Sequence, residues 1–190
     1  MHALYDRAPG EGARTLLVML PPAKACAQDL VDQGFVAAIR ELALPVDVAL
    51  VDADADYYLE GNIGERLAAD VLRPMRADGH PGIWLMGISL GGYGCVELAR
   101  RHAAELEGVM LLAPFLGSRN PEALEPTDGT WLPTAYLGFG ADDRYAAASE
   151  LLARQLPAER VVKMAGGHDW QTWMRVWRVL LTKRLFPAPA

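Results

Sequence analysis

The chain has 190 residues, of which 52% are hydrophobic and 22% charged, and its formal net charge is −6. This composition is typical of one globular domain, residues 1–190, and excludes an intrinsically disordered chain. The acidic balance, with basic residues scattered along the chain, argues against nucleic-acid binding. The apolar run at residues 15–23 is too short to span a membrane, and the segment before it does not resemble a signal peptide. We therefore expect a cytoplasmic protein without a membrane partner.

Apolar runs and amphipathic segments alternate along the chain after an opening stretch, residues 1–12, that we predict to be an irregular strand or loop. The apolar runs predict strands, and the amphipathic segments between them predict helices. The predicted strands are residues 15–20, 46–51, 82–88, 108–113, 135–139 and 160–164. The predicted helices are residues 28–42, a segment from residue 61 or 62 to between residues 74 and 79, and residues 93–102, 145–156 and 170–185.

Strands that are apolar throughout and alternate with helices are typical of a parallel sheet covered on both faces. We predict an α/β fold, a doubly wound three-layer sandwich whose mostly parallel sheet has about six strands. With the strand order 2-1-3-4-5-6, the winding reverses between the first and third strands. Ligands bind at such a switch point, outside the carboxyl ends of the strands.

The third strand runs into the sequence Gly87-Ile88-Ser89-Leu90-Gly91, which precedes a helix. A G-x-S-x-G segment between a strand and a helix is the nucleophile elbow pattern, in which the tight turn exposes the serine hydroxyl above the sheet. Gly87 and Gly91 lack the side chains that would collide in such a turn. A glycine-rich turn in which Ser89 only caps the helix is the alternative interpretation.

A nucleophilic serine needs a histidine base, and the chain has four histidines. His168 follows the sixth strand in a glycine-containing loop, which places it at the carboxyl edge of the sheet beside Ser89. His2 is terminal, His80 precedes the third strand at the opposite end, and His102 lies about three turns along the elbow helix. We therefore predict that His168 is the base, the alternative being a histidine that serves only the turn.

The acid that orients the histidine is expected in the loop after the fifth strand. Asp142 and Asp143 both lie there, and a plain helix N-cap would also favour aspartate at this position. We favour Asp143, with Asp142 as the alternative and Asp169 third, because a sequence neighbour of the histidine rarely orients its ring. The spacing alone does not choose between Asp142 and Asp143.

Together these residues resemble the α/β-hydrolase superfamily, in which nucleophile, acid and histidine follow successive strands in this order. The resemblance extends from Thr15 to the last helix. It implies that Ser89 is the nucleophile, Asp143 or Asp142 the acid and His168 the base.

The resemblance also implies an oxyanion hole. One donor is the N–H of Leu90, and the second comes from the loop after the first predicted strand. Family members commonly carry His-Gly-x there, whereas this chain has Pro21-Pro22-Ala23. Because Pro22 has no N–H, the second donor is expected to be Ala23.

Two departures from the family pattern point to a small, lidless member. We expect no N-terminal antiparallel strand pair, and the connection over residues 113–133 is too short for a helical lid. An open cleft suits short or medium acyl esters, or bulky substrates that dock from solvent. Tyr57 and Tyr58, in the loop after the second strand, and Phe115 and Trp170 are candidate substrate-binding residues, each of which could instead serve packing.

The function predicted from these residues is a serine hydrolase that cleaves a small-molecule carboxylic ester or thioester through an acyl-enzyme on Ser89. No metal or organic cofactor is implied, and we expect a monomer or homodimer. An acyltransferase or amidase using the same triad is an alternative, and a non-catalytic binding protein on the same fold is another. The two cysteines, Cys26 and Cys95, have no C-x-x-C spacing and indicate neither a disulfide framework nor a zinc site.

Overall fold

The structure, a computed structural model, describes residues 1–10, 15–53, 55–80, 82–116, 133–183 and 185–186. Its strands are β1 (His2–Asp6), β2 (Thr15–Leu20), β3 (Val46–Asp52), β4 (Gly82–Ile88), β5 (Gly108–Leu112), β6 (Thr134–Gly140) and β7 (Val161–Met164). Its α-helices are α1 (Ala27–Asp32), α2 (Phe35–Glu41), α3 (Ala55–Leu59), α4 (Ile63–Leu67), α5 (Arg73–Ala77), α6 (Leu90–His102), α7 (Ala146–Ala153) and α8 (Trp170–Leu181). A π-helical segment (Ala68–Leu72) joins α4 to α5, and 3-10 turns occupy Ala103–Glu105 and Ala158–Arg160.

The described strands form one sheet in the order β1-β3-β2-β4-β5-β6-β7. Strands β2 to β7 are parallel, and their order is the one predicted for the six strands read from the sequence. The connections reverse direction between β2 and β4, so the carboxyl ends of these two strands flank the switch point. The predicted doubly wound architecture is therefore confirmed.

The amino-terminal segment differs from the prediction. Residues 2–6 form a regular edge strand, antiparallel to β3, so the described sheet has seven strands rather than about six. No N-terminal antiparallel strand pair was expected, whereas among the described residues β1 is one strand antiparallel to β3. Tertiary contacts hold it: Arg40 of α2 forms an ion pair with Asp6, and the Ala8 N–H donates to the Asp47 carboxylate at 2.8 Å.

Two segments also differ from the prediction. The helix predicted over residues 28–42 is broken by Gly34, whose φ of 85° ends α1 and begins α2. The loop predicted after the second strand contains the short helix α3. The following helical segment ends at Ala77, within the predicted range of residues 74–79, and Pro74 lies in the first turn of α5 directly after the π-helical segment.

Helices cover both faces of the sheet. Leu20 and Leu137 lie in one row across the strands and therefore point to the same face. Leu20 packs against α6, because a Cβ added to Gly94 of that helix would lie 3.3 Å from the Leu20 side chain. Gly138, one residue after Leu137, instead meets Val176 of α8. Because successive strand residues point to opposite faces, α6 and α8 lie on opposite faces of the sheet.

The central strands form the core. All six residues of β2 and all seven of β4 are buried, as expected for strands covered on both sides. On the α8 face, Trp177 stacks on Phe35 with ring centroids 6.1 Å apart, and its indole N–H donates to the Phe35 carbonyl at 3.0 Å. This contact ties the last helix to α2 and fixes the loop that precedes α8.

Two further expectations concern the lid and a membrane span. The short connection predicted to lack a lid falls largely on residues 117–132, which lie outside the described residues. None of the helices in the described ranges is long and apolar enough to cross a membrane.

Candidate active site

Ser89 occupies a strained turn between β4 and α6. Its backbone has φ 51° and ψ −113°, a conformation that costs a non-glycine residue about 1–3 kcal/mol. A Cβ on Gly87 would collide with the backbone of Gly91, and a Cβ on Gly91 would collide with the carbonyl of Leu20. The two glycines thus permit the turn and also allow the loop after β2 to approach it. The sharp turn predicted from the G-x-S-x-G segment is present.

Backbone hydrogen bonds from the neighbouring strand hold this turn. The Ser89 N–H donates to the Leu112 carbonyl at 3.0 Å, and the Phe115 N–H donates to the Ser89 carbonyl at 2.8 Å. Leu112 ends β5, and Phe115 lies in the loop that follows it. The strained conformation is therefore fixed by the sheet before any ligand binds, which orients the serine hydroxyl.

Ser89, His168 and Asp143 form a continuous hydrogen-bonded chain. The Ser89 Oγ lies 2.9 Å from His168 Nε2, and His168 Nδ1 lies 2.7 Å from Asp143 Oδ2. A carboxylate accepts only, so Nδ1 carries the proton in this contact and leaves Nε2 as the acceptor for the serine O–H. The structure brings together the three residues predicted as nucleophile, base and acid, from the loops after β4, β7 and β6.

The geometry also separates the three candidate acids. Asp143 is buried, and its second oxygen accepts the Tyr145 N–H at 2.7 Å. The carboxylate of Asp142 instead accepts the Gly166 N–H at 3.1 Å, which ties the loop after β6 to the loop after β7. The Asp169 carboxylate accepts the Thr172 N–H at 2.8 Å as the N-cap of α8, and this bond holds its pKa below the usual range. Only Asp143 of these three is directed at His168.

A cleft of about 660 Å³ opens at Ser89 and His168. Phe115 and Trp170, two of the predicted substrate-binding residues, line it. Ala23 and Leu90, the predicted oxyanion-hole residues, line it as well. Leu90 is the first residue of α6, so its N–H has no partner within the helix.

Tyr57 and Tyr58, the other two candidate substrate-binding residues, are not among the described residues that line this cleft. They belong to α3, which packs beside α4, and the Tyr58 ring also lies against Gly94 of α6. The ring of Tyr58 lies 6.5 Å from that of Tyr93, and burial raises the pKa of its hydroxyl. The guanidinium carbon of Arg66 lies over the Tyr57 ring, 5.1 Å from the ring centroid.

Two aromatic residues at the site were not predicted. The rings of Tyr145 and Trp173 each meet the His168 ring edge to face, with centroids 4.9 Å away. From the sequence, both residues are placed only within predicted helices, Tyr145 as the first residue of one and Trp173 near the start of the last. The sequence signal that could have identified them is their position. Tyr145 lies two residues after Asp143 and Trp173 five residues after His168, so each lies at or near the start of the helix that follows the loop carrying its neighbour.

The remaining histidines are engaged away from Ser89. His80 is buried, and its Nε2 lies 2.9 Å from Asp47 near the amino end of β3. His102 pairs with Glu105 at 2.7 Å at the end of α6, and His2 pairs with Asp52. No group of three or more histidine, cysteine, aspartate or glutamate side chains within the described ranges is placed to hold a metal ion.

Neither a protein-family model nor a curated protein matches the chain. Solved structures do. A predicted CIB-like hydrolase from Thermoplasma acidophilum aligns with a TM-score of 0.74 at 13% identity, over 96% of this chain and 92% of that one. Est1E from Butyrivibrio proteoclasticus aligns with a TM-score of 0.72 at 13% identity, over 95% and 91%. The S-formylglutathione hydrolase FrmB from Staphylococcus aureus gives 0.64 at 15% identity, over 90% and 81%.

These similarities, at low identity, concern the fold. Together with the parallel strand order, the switch point and the strained serine turn after β4, they show that the chain has the α/β-hydrolase fold.

Proposed function

We propose that this protein is a serine hydrolase that cleaves carboxylic esters or thioesters through an acyl-enzyme on Ser89. The observation that carries the proposal is the chain of hydrogen bonds from Ser89 through His168 to the buried Asp143, with contacts of 2.9 and 2.7 Å, at the edge of an open cleft. A serine used only as a helix cap needs neither partner. Here the Ser89 side chain makes no cap hydrogen bond to α6.

The acylation step follows from these contacts. The Ser89 Oγ attacks the acyl carbon while its proton passes to His168 Nε2. The resulting imidazolium is stabilised by the Asp143 carboxylate, which also keeps the ring in the tautomer that accepts at Nε2. When the tetrahedral intermediate collapses, the bond to the alcohol or thiol breaks, and the leaving group takes the proton from His168.

Deacylation repeats the sequence with water. His168 accepts a proton from water as the water oxygen attacks the acyl carbon, and the proton then returns to Ser89 as the carboxylic acid leaves. The backbone N–H groups of Leu90 and Ala23 serve as the oxyanion donors in both steps. One such donor typically contributes about 10²–10³-fold to kcat.

Phe115 and Trp170 supply the apolar walls against which an acyl or alcohol group packs. Their rings line the cleft together with the edge of Trp173, whose ring centroid lies 5.2 Å from that of Trp170. The cleft volume of about 660 Å³ fits a small-molecule substrate. The fold-level neighbours include proteins described as a ferulic acid esterase and an S-formylglutathione hydrolase, which supports an ester or thioester as the scissile bond.

A fluorophosphonate probe tests the proposal directly, because it reacts with an activated serine. We expect labelling of the native protein and hydrolysis of p-nitrophenyl and thiol esters, both lost in Ser89→Ala. Ser149→Ala is the matched control, since Ser149 is buried in α7 away from the cleft. Equal labelling of the native protein and Ser89→Ala, or no labelling of either, would contradict the assignment of Ser89.

A further inference from the structure

Two cationic side chains line the same cleft as Ser89. Lys24 lies in the loop after β2 and Arg144 in the loop after β6, and both are exposed. Across the described residues, neither forms an ion pair, whereas Arg40, Arg66 and Lys163 are each paired with a carboxylate. What distinguishes Lys24 and Arg144 is that both line the cleft that contains Ser89, where their positive charge favours an anionic ligand.

Arg144 lies close to the reacting groups through the ring of Tyr145. Its guanidinium carbon lies 4.9 Å from the ring centroid of Tyr145, and that ring lies 4.9 Å from the His168 ring. The guanidinium therefore lies within about 10 Å of the histidine, roughly one Debye length at 0.1 M salt. Its charge acts on a substrate bound at Ser89 without blocking the triad.

Lys24 is held by a tight turn. The Ala25 N–H donates to the Pro22 carbonyl at 3.2 Å, and Lys24 within this turn has φ 67°. The turn contains Ala23, the proposed oxyanion donor. The ammonium group therefore extends from a backbone position directly after a residue that lines the site.

One acidic residue, Asp169, also lines the cleft. Its carboxylate is engaged at the N-terminus of α8, where the Thr172 N–H binds it and the helix dipole offsets its charge. The two cations have no comparable partner among the described residues. The lining groups thus leave an excess of positive charge facing the substrate.

We infer that Lys24 and Arg144 form a cationic subsite that binds a carboxylate or phosphate group carried by the substrate. The preferred substrates are then anionic esters or thioesters, with the charged group a few bonds from the scissile carbonyl. This inference rests on the proposed hydrolase function. The negative group lies on the acyl side or on the leaving group, and the test has one arm for each.

The experiment compares substrates that differ only in whether the chain ends in a carboxylate or in a methyl group. In the acyl arm, mono-p-nitrophenyl adipate is compared with p-nitrophenyl hexanoate, which has the same chain length. In the leaving-group arm, S-acetyl-3-mercaptopropionate is compared with S-propyl thioacetate. The quantity measured is the ratio of kcat/KM for the anionic substrate to that for the neutral one, in low and high salt.

We expect the native protein to prefer the anionic member in at least one arm. Lys24→Gln and Arg144→Gln should each lower that ratio by about two- to fivefold, and the double variant should lower it further. High salt should lower the ratio in the native protein as well. Arg160→Gln is the control for net charge, because Arg160 stacks over Tyr136 at 5.8 Å but does not line the cleft, and it should leave the ratio unchanged.

Two results would overturn the subsite: a native ratio at or below one in both arms, or a preference that neither substitution reduces more than Arg160→Gln does. Failure of the hydrolase proposal looks different. It is the absence of turnover of the neutral esters together with the absence of fluorophosphonate labelling at Ser89.

Discussion

Replacement of Asp143 by Asn perturbs the candidate site through a single hydrogen-bond acceptor. Both carboxylate oxygens of Asp143 accept, one from the Tyr145 N–H at 2.7 Å and the other from His168 at 2.7 Å. Asn has only one accepting oxygen. If that oxygen stays on the Tyr145 N–H, the amide NH₂ faces His168 Nδ1 and forces the ring proton onto Nε2. Nε2 then donates and cannot accept the Ser89 proton.

The expected loss is large because the substitution removes two contributions together. It leaves the wrong histidine tautomer, and it removes the negative charge that stabilises the imidazolium. Water screens that charge little, because the Asp143 side chain is only 1% exposed. In serine proteases the equivalent change lowers kcat by about 10⁴-fold, which corresponds to about 5.5 kcal/mol in the activation free energy. We expect a loss of this order for Asp143→Asn.

Asp142→Asn is the matched control. Asp142 accepts from the Gly166 N–H at 3.1 Å, and an asparagine oxygen can take over that bond. We expect its kcat/KM to remain within about fivefold of the native value, consistent with the loss of one charge-assisted bond. The assay is p-nitrophenyl ester hydrolysis, with thermal melting to check that both variants fold. If Asp142→Asn abolishes turnover while Asp143→Asn retains it, the assignment of the acid is wrong.

Three further predictions concern the surroundings of the site. Tyr145→Leu should lower kcat about tenfold with little change in KM, because it removes a ring that contacts His168 edge to face. Tyr145→Phe keeps the ring and should retain activity. Equal losses in both variants would show that the ring does not position the base. Gly91→Ala should lower the free energy of unfolding in urea by about 2 kcal/mol or more, because its Cβ meets the backbone of the loop after β2. Gly94→Ala, whose Cβ first meets a tyrosine hydroxyl at 3.1 Å, should cost less, and the opposite ranking would contradict the argument. Asp169→Ala should lower the free energy of unfolding by about 1 kcal/mol at neutral pH through loss of the N-cap. The N-cap bond lowers the pKa of Asp169 in the folded protein. The stability difference between the native protein and Asp169→Ala should therefore be complete above the unfolded carboxyl pKa of about 3.9 and disappear as pH falls through the lower pKa of the folded state. A difference in melting temperature that persists in acid would exclude this cause.

The strand order and the serine turn could be predicted because the sequence encodes them locally. Continuous apolar runs separated by amphipathic segments specify buried parallel strands, and the crossover rules leave few arrangements for them. The glycines around Ser89 are required by contacts within one turn, so their spacing is visible in the sequence. His168 was identifiable in the same way, since it follows the last strand at the carboxyl edge of the sheet.

The features that the sequence left open depend on contacts between distant segments. Residues 2–6 become a strand because β3 offers a free edge. Tyr57 and Tyr58 do not line the cleft, since α3 packs against α4 and Tyr58 packs against Gly94 of α6. Neither outcome has a local signal, because a segment of only five residues adopts whichever conformation its neighbours stabilise.

The choice of acid illustrates the same division at the scale of one residue. Asp142 and Asp143 are adjacent and chemically identical, so the sequence determined that a carboxylate follows β6 but not which one meets the histidine. The structure directs Asp143 to His168 and Asp142 to the Gly166 N–H of the loop after β7. Adjacent side chains point in different directions. Which of the two carboxylates meets the imidazole ring therefore depends on where the loop after β7 packs, and that is a tertiary contact.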